Sequence, residues 1–362
     1  MTETFPTTHR PVVFGPNQPP RFYRGGAGIA RFRGVPQAST NTPEDFVASS
    51  TEVFAGGGVG LSLLEDGSSL RDAVAADPTG FLGADHVARF GADTAVLVKL
   101  LDTGERLLVH FHPDGDFARR HLNCSHGKNE AWLITEVVPD PADDSSGSVF
   151  LGFTEAVSDE VVRSWLSSQD KDAMLGSLNR IEAAAGDTFF VPAGVPHAIG
   201  AGVTMVEVQE PVDFSILIEW DGFDIDGPNE GHLGLGFDTA LAALDRSAWS
   251  SDDLALAQSA RPDAQSRPGV RRLLPPVADQ FFRAEQVSTG DAAQTISFDA
   301  EFAILVVLEG HGAIEYGEGE SVPVAGGSTV LLPHGAGPTR ITGSVTALRC
   351  RPAAPEQAEA GR

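Results

Sequence analysis

Two stretches far apart in the chain carry histidines at the spacing that a small β-barrel needs to gather them on one ion. Gly104-Glu105-Arg106-Leu107-Leu108-Val109-His110-Phe111-His112 reads G-x5-H-x-H, and Gly186-Asp187-Thr188-Phe189-Phe190-Val191-Pro192-Ala193-Gly194-Val195-Pro196-His197 reads G-x5-P-x-G-x2-H. Alternate residues of a strand share a face, so His110 and His112 both enter one barrel interior while Phe111 packs outside. A lone histidine on an apolar strand is ordinarily a satisfied core residue. Three at these spacings, each set preceded by a glycine turn, predict a metal site instead. The fourth ligand is expected from Glu130, which opens the apolar run Ala131 to Ile134. That run reads as the next strand and returns the carboxylate beside the H-x-H strand. Imidazole with one carboxylate suits zinc, iron, copper or nickel. Zn2+ is the first expectation, with another divalent transition metal left open.

Composition narrows the class around this site. With 362 residues, 41% of them hydrophobic and 21% charged, the chain can bury one large core or two ordinary ones. A formal net charge of −25 argues against nucleic acid, whose phosphates are bound by clusters of Lys and Arg. Cys124 and Cys350 form no CxxC pair, so neither a disulfide framework nor a thiolate zinc site is expected. The opening residues Met1-Thr2-Glu3-Thr4-Phe5-Pro6 lack the basic and apolar regions of a signal peptide. No apolar run reaches the length that spans a bilayer. These features predict a cytoplasmic protein with no membrane partner, and leave the oligomeric state unspecified.

Short Val, Leu, Phe and Ile runs separated by Gly and Pro predict many short strands, near Ala95–Lys99, Arg106–Phe111, Ala131–Val137, Ser148–Phe153, Thr188–Val191, Thr204–Val208 and Ser215–Glu219. Ser158 to Leu178 reads as an inserted helix capped by Ser158, with a second helix at Asp238–Leu244. Ser250 to Pro276 is polar and proline-bounded and reads as a linker. Beyond it, Gly327-Ser328-Thr329-Val330-Leu331-Leu332-Pro333-His334-Gly335 repeats the spelling of the stretch from Gly186 to Gly194. Where the first copy places His197, the second has Ala336-Gly337-Pro338, so this copy keeps the turns and lacks the ligands. Its His311 and His334 read as surface turn residues.

The paired glycine–histidine stretches are the signature of the cupins. The fold expected is therefore mainly β: tandem cupin (jelly-roll) β-barrels with a small helical insertion at about 155–180. The boundaries read as 1–249 for a metal-bearing first domain, 250–276 for the linker and 277–362 for a degenerate second barrel.

A longer text surrounds the ligands. Leu97-Val98-Lys99-Leu100-Leu101-Asp102, His112-Pro113-Asp114, Gly127-Lys128-Asn129-Glu130-Ala131-Trp132 and the run from Gly186 to Gly200 together resemble the class I mannose-6-phosphate isomerases. The resemblance extends more loosely from about Pro43 to about Leu244. It implies a zinc-dependent aldose–ketose isomerase that interconverts mannose 6-phosphate and fructose 6-phosphate through an enediol. It also implies the ligand set: the family's Gln, two His and Glu fall on His110, His112, Glu130 and His197, so His stands here in place of Gln. For the proton carriers the match points to Glu207 and Lys128. Glu207 sits on a β-run with Val206 and Val208 facing the other way. Lys128 is one of only three lysines, with Lys99 and Lys171, among 25 basic residues. A compact ammonium can donate to a developing enediolate. Lys99, inside the matching text, is assigned to substrate binding.

Two departures bear on the substrate. A Ser and an Arg that help the family hold a phosphorylated sugar become Leu108 and Leu217, which removes charge-assisted anchoring. Arg119 and Arg120 are the candidates to reach a phosphate instead, and an unphosphorylated sugar fits the same chemistry. Two other functions stay open at this point: a redox metallocupin of the dioxygenase or decarboxylase type, for which three His and one Glu also serve, and a non-catalytic sugar-binding cupin. The basic, aromatic segment Arg21 to Gly26 is left between lining a cleft and covering a barrel end.

Overall fold

The computed structural model describes residues 7–258, 267–290 and 294–354. Its strands form three antiparallel sheets. Two of these face each other in the N-terminal half. One has the order Glu44–Val47, Leu97–Asp102, Val203–Gln209, Glu130–Val137, Thr188–Val191; the other runs Ile216–Leu217, His110–Phe111, His197–Ile199, Ser148–Phe153, Leu178–Glu182. Between them Leu101, Trp132, Ile134, Val149, Leu151, Phe189 and Met205 fill one end of a barrel.

The first of these sheets is buried on both faces. Every residue of Leu97–Asp102 is buried, as is every residue of Val203–Gln209. Such strands read as continuous apolar runs rather than alternating ones. Their outward residues Val98, Leu100, Leu133, Val206 and Val208 pack on Phe282, Ile304, Val306, Leu331 and Leu348 of the C-terminal half, and on the helices Leu70–Ala76 and Pro78–Leu82. The second sheet turns Val109, Phe111, Phe150, Ala198 and Ile216 outward against the inserted helices. Phe111 thus packs outside the barrel, as the strand period requires.

The inserted helix is two helices, Asp159–Ser168 and Lys171–Gly176, and Leu178 already belongs to the next strand. Ser158 caps the first as expected. The break comes at Gln169, which adopts φ 52° and turns its side chain to the segment beyond the second sheet. Its Nε2 donates to the Ile218 carbonyl at 3.1 Å, and its Oε1 accepts from Trp220 N at 2.7 Å. The second expected helix is shorter, Phe237–Ala240, and continues as a 3-10 turn over Leu241–Ala243. The strand expected at Arg106–Phe111 is confined to His110–Phe111, because Val109 N donates to the Glu219 carboxylate instead of to a neighbouring strand.

The C-terminal half is one sheet, ordered Val12–Phe14, Thr329–Leu332, Ala303–Tyr316, Thr339–Pro352, Phe282–Ser288, Val270–Arg272, with Ile296–Phe298 and Glu320–Ala325 attached to its long strands. Its first strand comes from the other end of the chain: Val12 pairs with Leu331 and Phe14 with Thr329. Arg33 reinforces that join, with Nη2 2.8 Å from Asp45 Oδ2 and Nη1 2.8 Å from Thr329 Oγ1. In the stretch read as a linker, Ser251–Ala257 is a helix with a capping box from Ser250 and Asp253, and Val270–Arg272 is a strand. Residues 259–266 of that stretch, like Met1 to Pro6, lie outside the described residues. His311 is exposed on a strand and His334 is half-buried against Gly83.

Candidate active site

The site occupies the end of the first barrel that the apolar core leaves open. On one sheet His110 pairs with both Leu217 and His197, so the two imidazoles share a rung and a face. On the opposite sheet Lys99, Glu207 and Trp132 share another rung. Glu130, two residues before Trp132, faces the same way and accepts from Trp132 Nε1 at 3.0 Å. Local backbone fixes these positions. Gly127 lets two chain segments touch, since a Cβ there would lie 2.5 Å from Gly115 N, and Lys128 N donates to the Pro113 carbonyl at 3.0 Å. Gly194, at φ 88°, carries the turn before His197, and its N donates to the His112 carbonyl at 2.6 Å. Asn129 Oδ1 accepts from Ala193 N at 3.0 Å and locks that turn to the Glu130 strand.

Three buried histidines, His110, His112 and His197, place their ligand atoms within 4.8 Å of one another. Each Nδ1 lies against a carbonyl oxygen: Leu108 at 2.8 Å, Phe214 at 2.9 Å and Val195 at 2.9 Å, respectively. A carbonyl only accepts, so each Nδ1 carries the proton and each Nε2 a lone pair. His110 Nε2 and His197 Nε2 face each other at 3.0 Å, two acceptors with no proton between them. Glu130 adds its carboxylate, Oε2 at 3.1 Å from His112 Nε2 and Oε1 at 3.3 Å from His197 Nε2. A set of converging lone pairs beside a buried carboxylate is what a divalent cation satisfies, and the carbonyls behind the Nδ1 atoms are the outer partners that orient ligating imidazoles. The residues present therefore fit a metal ion.

The electrostatics agree. Burial pushes His112 and His197 down to about 3 and His110 well below its ordinary value, so all three stay neutral ligands. Burial works to raise the Glu130 carboxyl, but the Lys128 ammonium 2.9 Å from Oε2, together with His112 and His197, outweighs it and holds the group well below the carboxylate range. Glu207 goes the other way. Burial pushes it up to about 8, against the pull of Lys128 and with Glu130 adding to the rise. Lys128 Nζ and Lys99 Nζ each stand 3.9 Å from a different Glu207 oxygen.

Lys99 is held by a second cluster. Its Nζ is 2.6 Å from Asp213 Oδ1 and 3.3 Å from Glu44 Oε2. Burial would lower it, but Asp213, Glu44 and Glu207 outweigh that and keep the ammonium charged. Arg21 grips the same two acids, with Nη1 2.9 Å from Asp213 Oδ2 and Nε 3.2 Å from Glu44 Oε1, and the Tyr23 hydroxyl donates to Glu44. The segment Arg21 to Gly26 thus lines the cleft with Arg21, Phe22 and Tyr23. Glu44 and Asp213 are additions to the sequence reading. The signal for Glu44 was present, an acid pair Glu44-Asp45 opening the apolar Phe46-Val47, whereas Asp213 follows a strand with nothing to mark it. Arg119 and Arg120 are corrected: both project from the helix Gly115–His121, where Arg119 pairs with Asp116 and Arg120 Nε donates to the Asp116 carbonyl at 3.0 Å, and neither lines the cavity. Helix periodicity turns them to solvent.

The cavity over these groups measures about 410 Å3, in the ordinary range for a small-molecule site. Its lining brings together Lys99, His110, Lys128, Glu130 and Glu207. Among the described residues, no helix is long and apolar enough to cross a membrane.

Two jelly-roll units in tandem, with a histidine–carboxylate cluster in the first, define a bicupin that has, among the described residues, one candidate metal centre. The family model described as "Mannose-6-phosphate isomerase, cupin domain" matches residues 276–352, the barrel that lacks the ligands. The mannose-6-phosphate isomerase of Streptococcus mutans is 34% identical over 140 residues, 38% of this chain and 41% of that one. Mannose-6-phosphate isomerase ManA of Bacillus subtilis is 31% identical over the same shares. These matches span about two fifths of the relatives' length. A crystal structure of the mannose 6-phosphate isomerase from Bacillus subtilis superimposes with a TM-score of 0.72 at 22% identity, covering 94% of this chain and 99% of that one. Over these stretches the chain is similar to mannose-6-phosphate isomerases, and it shares the fold of the Bacillus subtilis structure.

Proposed function

We propose that the protein is a metal-dependent aldose–ketose isomerase of the mannose-6-phosphate isomerase type, acting on mannose 6-phosphate and fructose 6-phosphate or on a related, unphosphorylated sugar. The observation that carries this reading is that His110 and Glu130 of the histidine–carboxylate cluster line the same cavity as a buried carboxyl, Glu207, flanked by two ammonium groups. His110, His112, His197 and Glu130 would hold the ion, with Zn2+ proposed on the strength of the family and the N3O donor set. When bound, a divalent cation polarises the carbonyl and the neighbouring hydroxyl of the sugar.

The chain's own residues supply the rest. Glu207 as carboxylate takes the proton from C2 of the aldose while O1 takes one from Lys128 to give the enediol; as carboxylic acid it then returns its proton to C1 while O2 gives its hydroxyl proton back to Lys128, which leaves the ketose. A carboxyl poised near 8 passes through both forms at neutral pH, which is the condition for efficient proton transfer. Lys128 Nζ donates to the oxygen on which negative charge gathers. Lys99, pinned by Asp213 and Glu44, keeps the far side of Glu207 positive and fixes its orientation. The apolar plug of Trp132, Leu101 and Met205 excludes water from behind the reacting carbons.

The test is proton NMR of the zinc-loaded protein with aldose in D2O. Ketose formation with solvent deuterium entering at the transferred position is the expected result. Oxygen consumption by an iron- or copper-loaded protein, without ketose, would replace this reading by the redox one.

A further inference from the structure

We propose that the cavity is built for a neutral monosaccharide and discriminates against its phosphate ester; the identity of the ligand as a sugar rests on the isomerase reading above.

The argument begins with the cations. A phosphate dianion is held by charged donors that have capacity to spare, because its desolvation must be repaid by charge-assisted hydrogen bonds. Three cationic side chains line the cavity: Arg21, Lys99 and Lys128. Each is committed. Arg21 spends Nη1 and Nη2 on the two Asp213 oxygens, at 2.9 Å and 3.3 Å, and Nε on Glu44 at 3.2 Å. Lys99 Nζ is 2.6 Å from Asp213 and 3.3 Å from Glu44, and Lys128 Nζ is 2.9 Å from Glu130. Among the described residues, no cation lining the cavity lacks a carboxylate partner.

The charge balance points the same way. Five carboxylates line the cavity, Glu44, Glu130, Glu207, Asp213 and Glu230, against those three cations. A divalent ion in the histidine cluster brings the lining to neutrality. A dianionic ester would then make the chamber net negative, and it would remain so even with Glu207 protonated.

The remaining wall and the acceptors favour hydroxyl groups. Leu107, Leu108, Leu217, Ile225 and Leu233 form an apolar side that offers nothing to a phosphate. Glu44 and Asp213 also line the cavity, and their carboxylate oxygens only accept. A sugar hydroxyl can donate to them, whereas a phosphate dianion is an acceptor only and would face them with repulsion.

The experiment is titration calorimetry of the zinc-loaded full chain with a panel of pentoses and hexoses, each beside its terminal phosphate ester, and with inorganic phosphate as competitor. Turnover of the same panel is followed in parallel. The expected result is that the best neutral sugar binds at least tenfold tighter than any ester and that inorganic phosphate does not displace it. An ester that binds within tenfold of the best neutral sugar or better, displacement by inorganic phosphate, or no binding by any sugar overturns the proposal. If an ester is also the better turned-over substrate, the isomerase reading survives its loss. If neutral sugars bind selectively and none is isomerised, the isomerase reading falls and the selectivity stands.

Discussion

Removing the Asp213 carboxylate leaves two buried cations in one chamber, and D213A measures what that costs. Lys99 has a side-chain exposure of 2% and Arg21 of 18%, and both lean on Asp213 at under 3 Å. Breaking a buried ion pair by deleting one partner typically costs about 3–5 kcal/mol, because the surviving charge is left uncompensated. Here Glu44 remains, 3.3 Å from Lys99 and 3.2 Å from Arg21, so the lower end of about 3 kcal/mol is expected. Burial would raise Asp213, but Arg21 and Lys99 outweigh it and depress its pKa. The stability it confers is therefore fully present above the unfolded aspartate value of about 3.9 and fades as the pH falls below that. Urea unfolding of wild type and D213A at pH 7 should show the full gap, and the gap should begin to narrow only below about pH 4 and keep narrowing as the pH falls toward the depressed folded value. Adding K99M to D213A removes one stranded charge and should recover part of the loss. A loss under about 1 kcal/mol at pH 7, or a gap that widens in acid, would refute the account of Asp213 as the counter-ion of this cluster.

Replacing Glu207 by Gln should leave zinc content unchanged and lower turnover by a factor of about 10² or more, read from steady-state kinetics alongside metal analysis. His197→Ala takes one of the three converging imidazoles from the cluster, and metal analysis after dialysis should show little bound zinc; full retention would remove His197 from the ligand set. His126 lies 2.8 Å from Asp93 Oδ2 and 3.7 Å from Glu210 Oε1. Burial would lower it, but those carboxylates outweigh burial and raise it to about 10. Its stabilisation is thus whole below the free-histidine value near 6.5 and lost as the pH rises through about 10. Thermal melts should find H126A well below wild type at pH 6, with the difference shrinking as the pH rises above about 6.5 and gone above about 10.

The ligand cluster was legible because it is written in local periods. The i, i+2 rule places His110 and His112 on one face, and the glycine and proline turns before His197 fix where the next strand begins. Fold class followed from the same punctuation, repeated in the second barrel. What the sequence hid depends on contacts between distant residues. The Lys99–Asp213 pair spans 114 positions, and nothing near either residue announces the other. Val12–Phe14 is too short to stand out as a strand and is one only because Thr329–Leu332 offers it an edge. Arg119 and Arg120 misled because a pair of arginines close to the ligands in sequence need not be close in space: the helix Gly115–His121 intervenes and turns them out.

The strand Val12–Phe14 also orders events in the life of the chain. It leaves the ribosome more than three hundred positions ahead of Thr329–Leu332 and cannot find its place until that strand has emerged. Throughout synthesis it stays a loose end beside a nearly finished first barrel, while the edge it will cover does not yet exist. The histidine-bearing half can therefore assemble early, whereas the closing stitch between the two halves is tied last. A chain cut short between Glu219 and Thr329 would carry the histidine pocket without the seam that joins it to its companion.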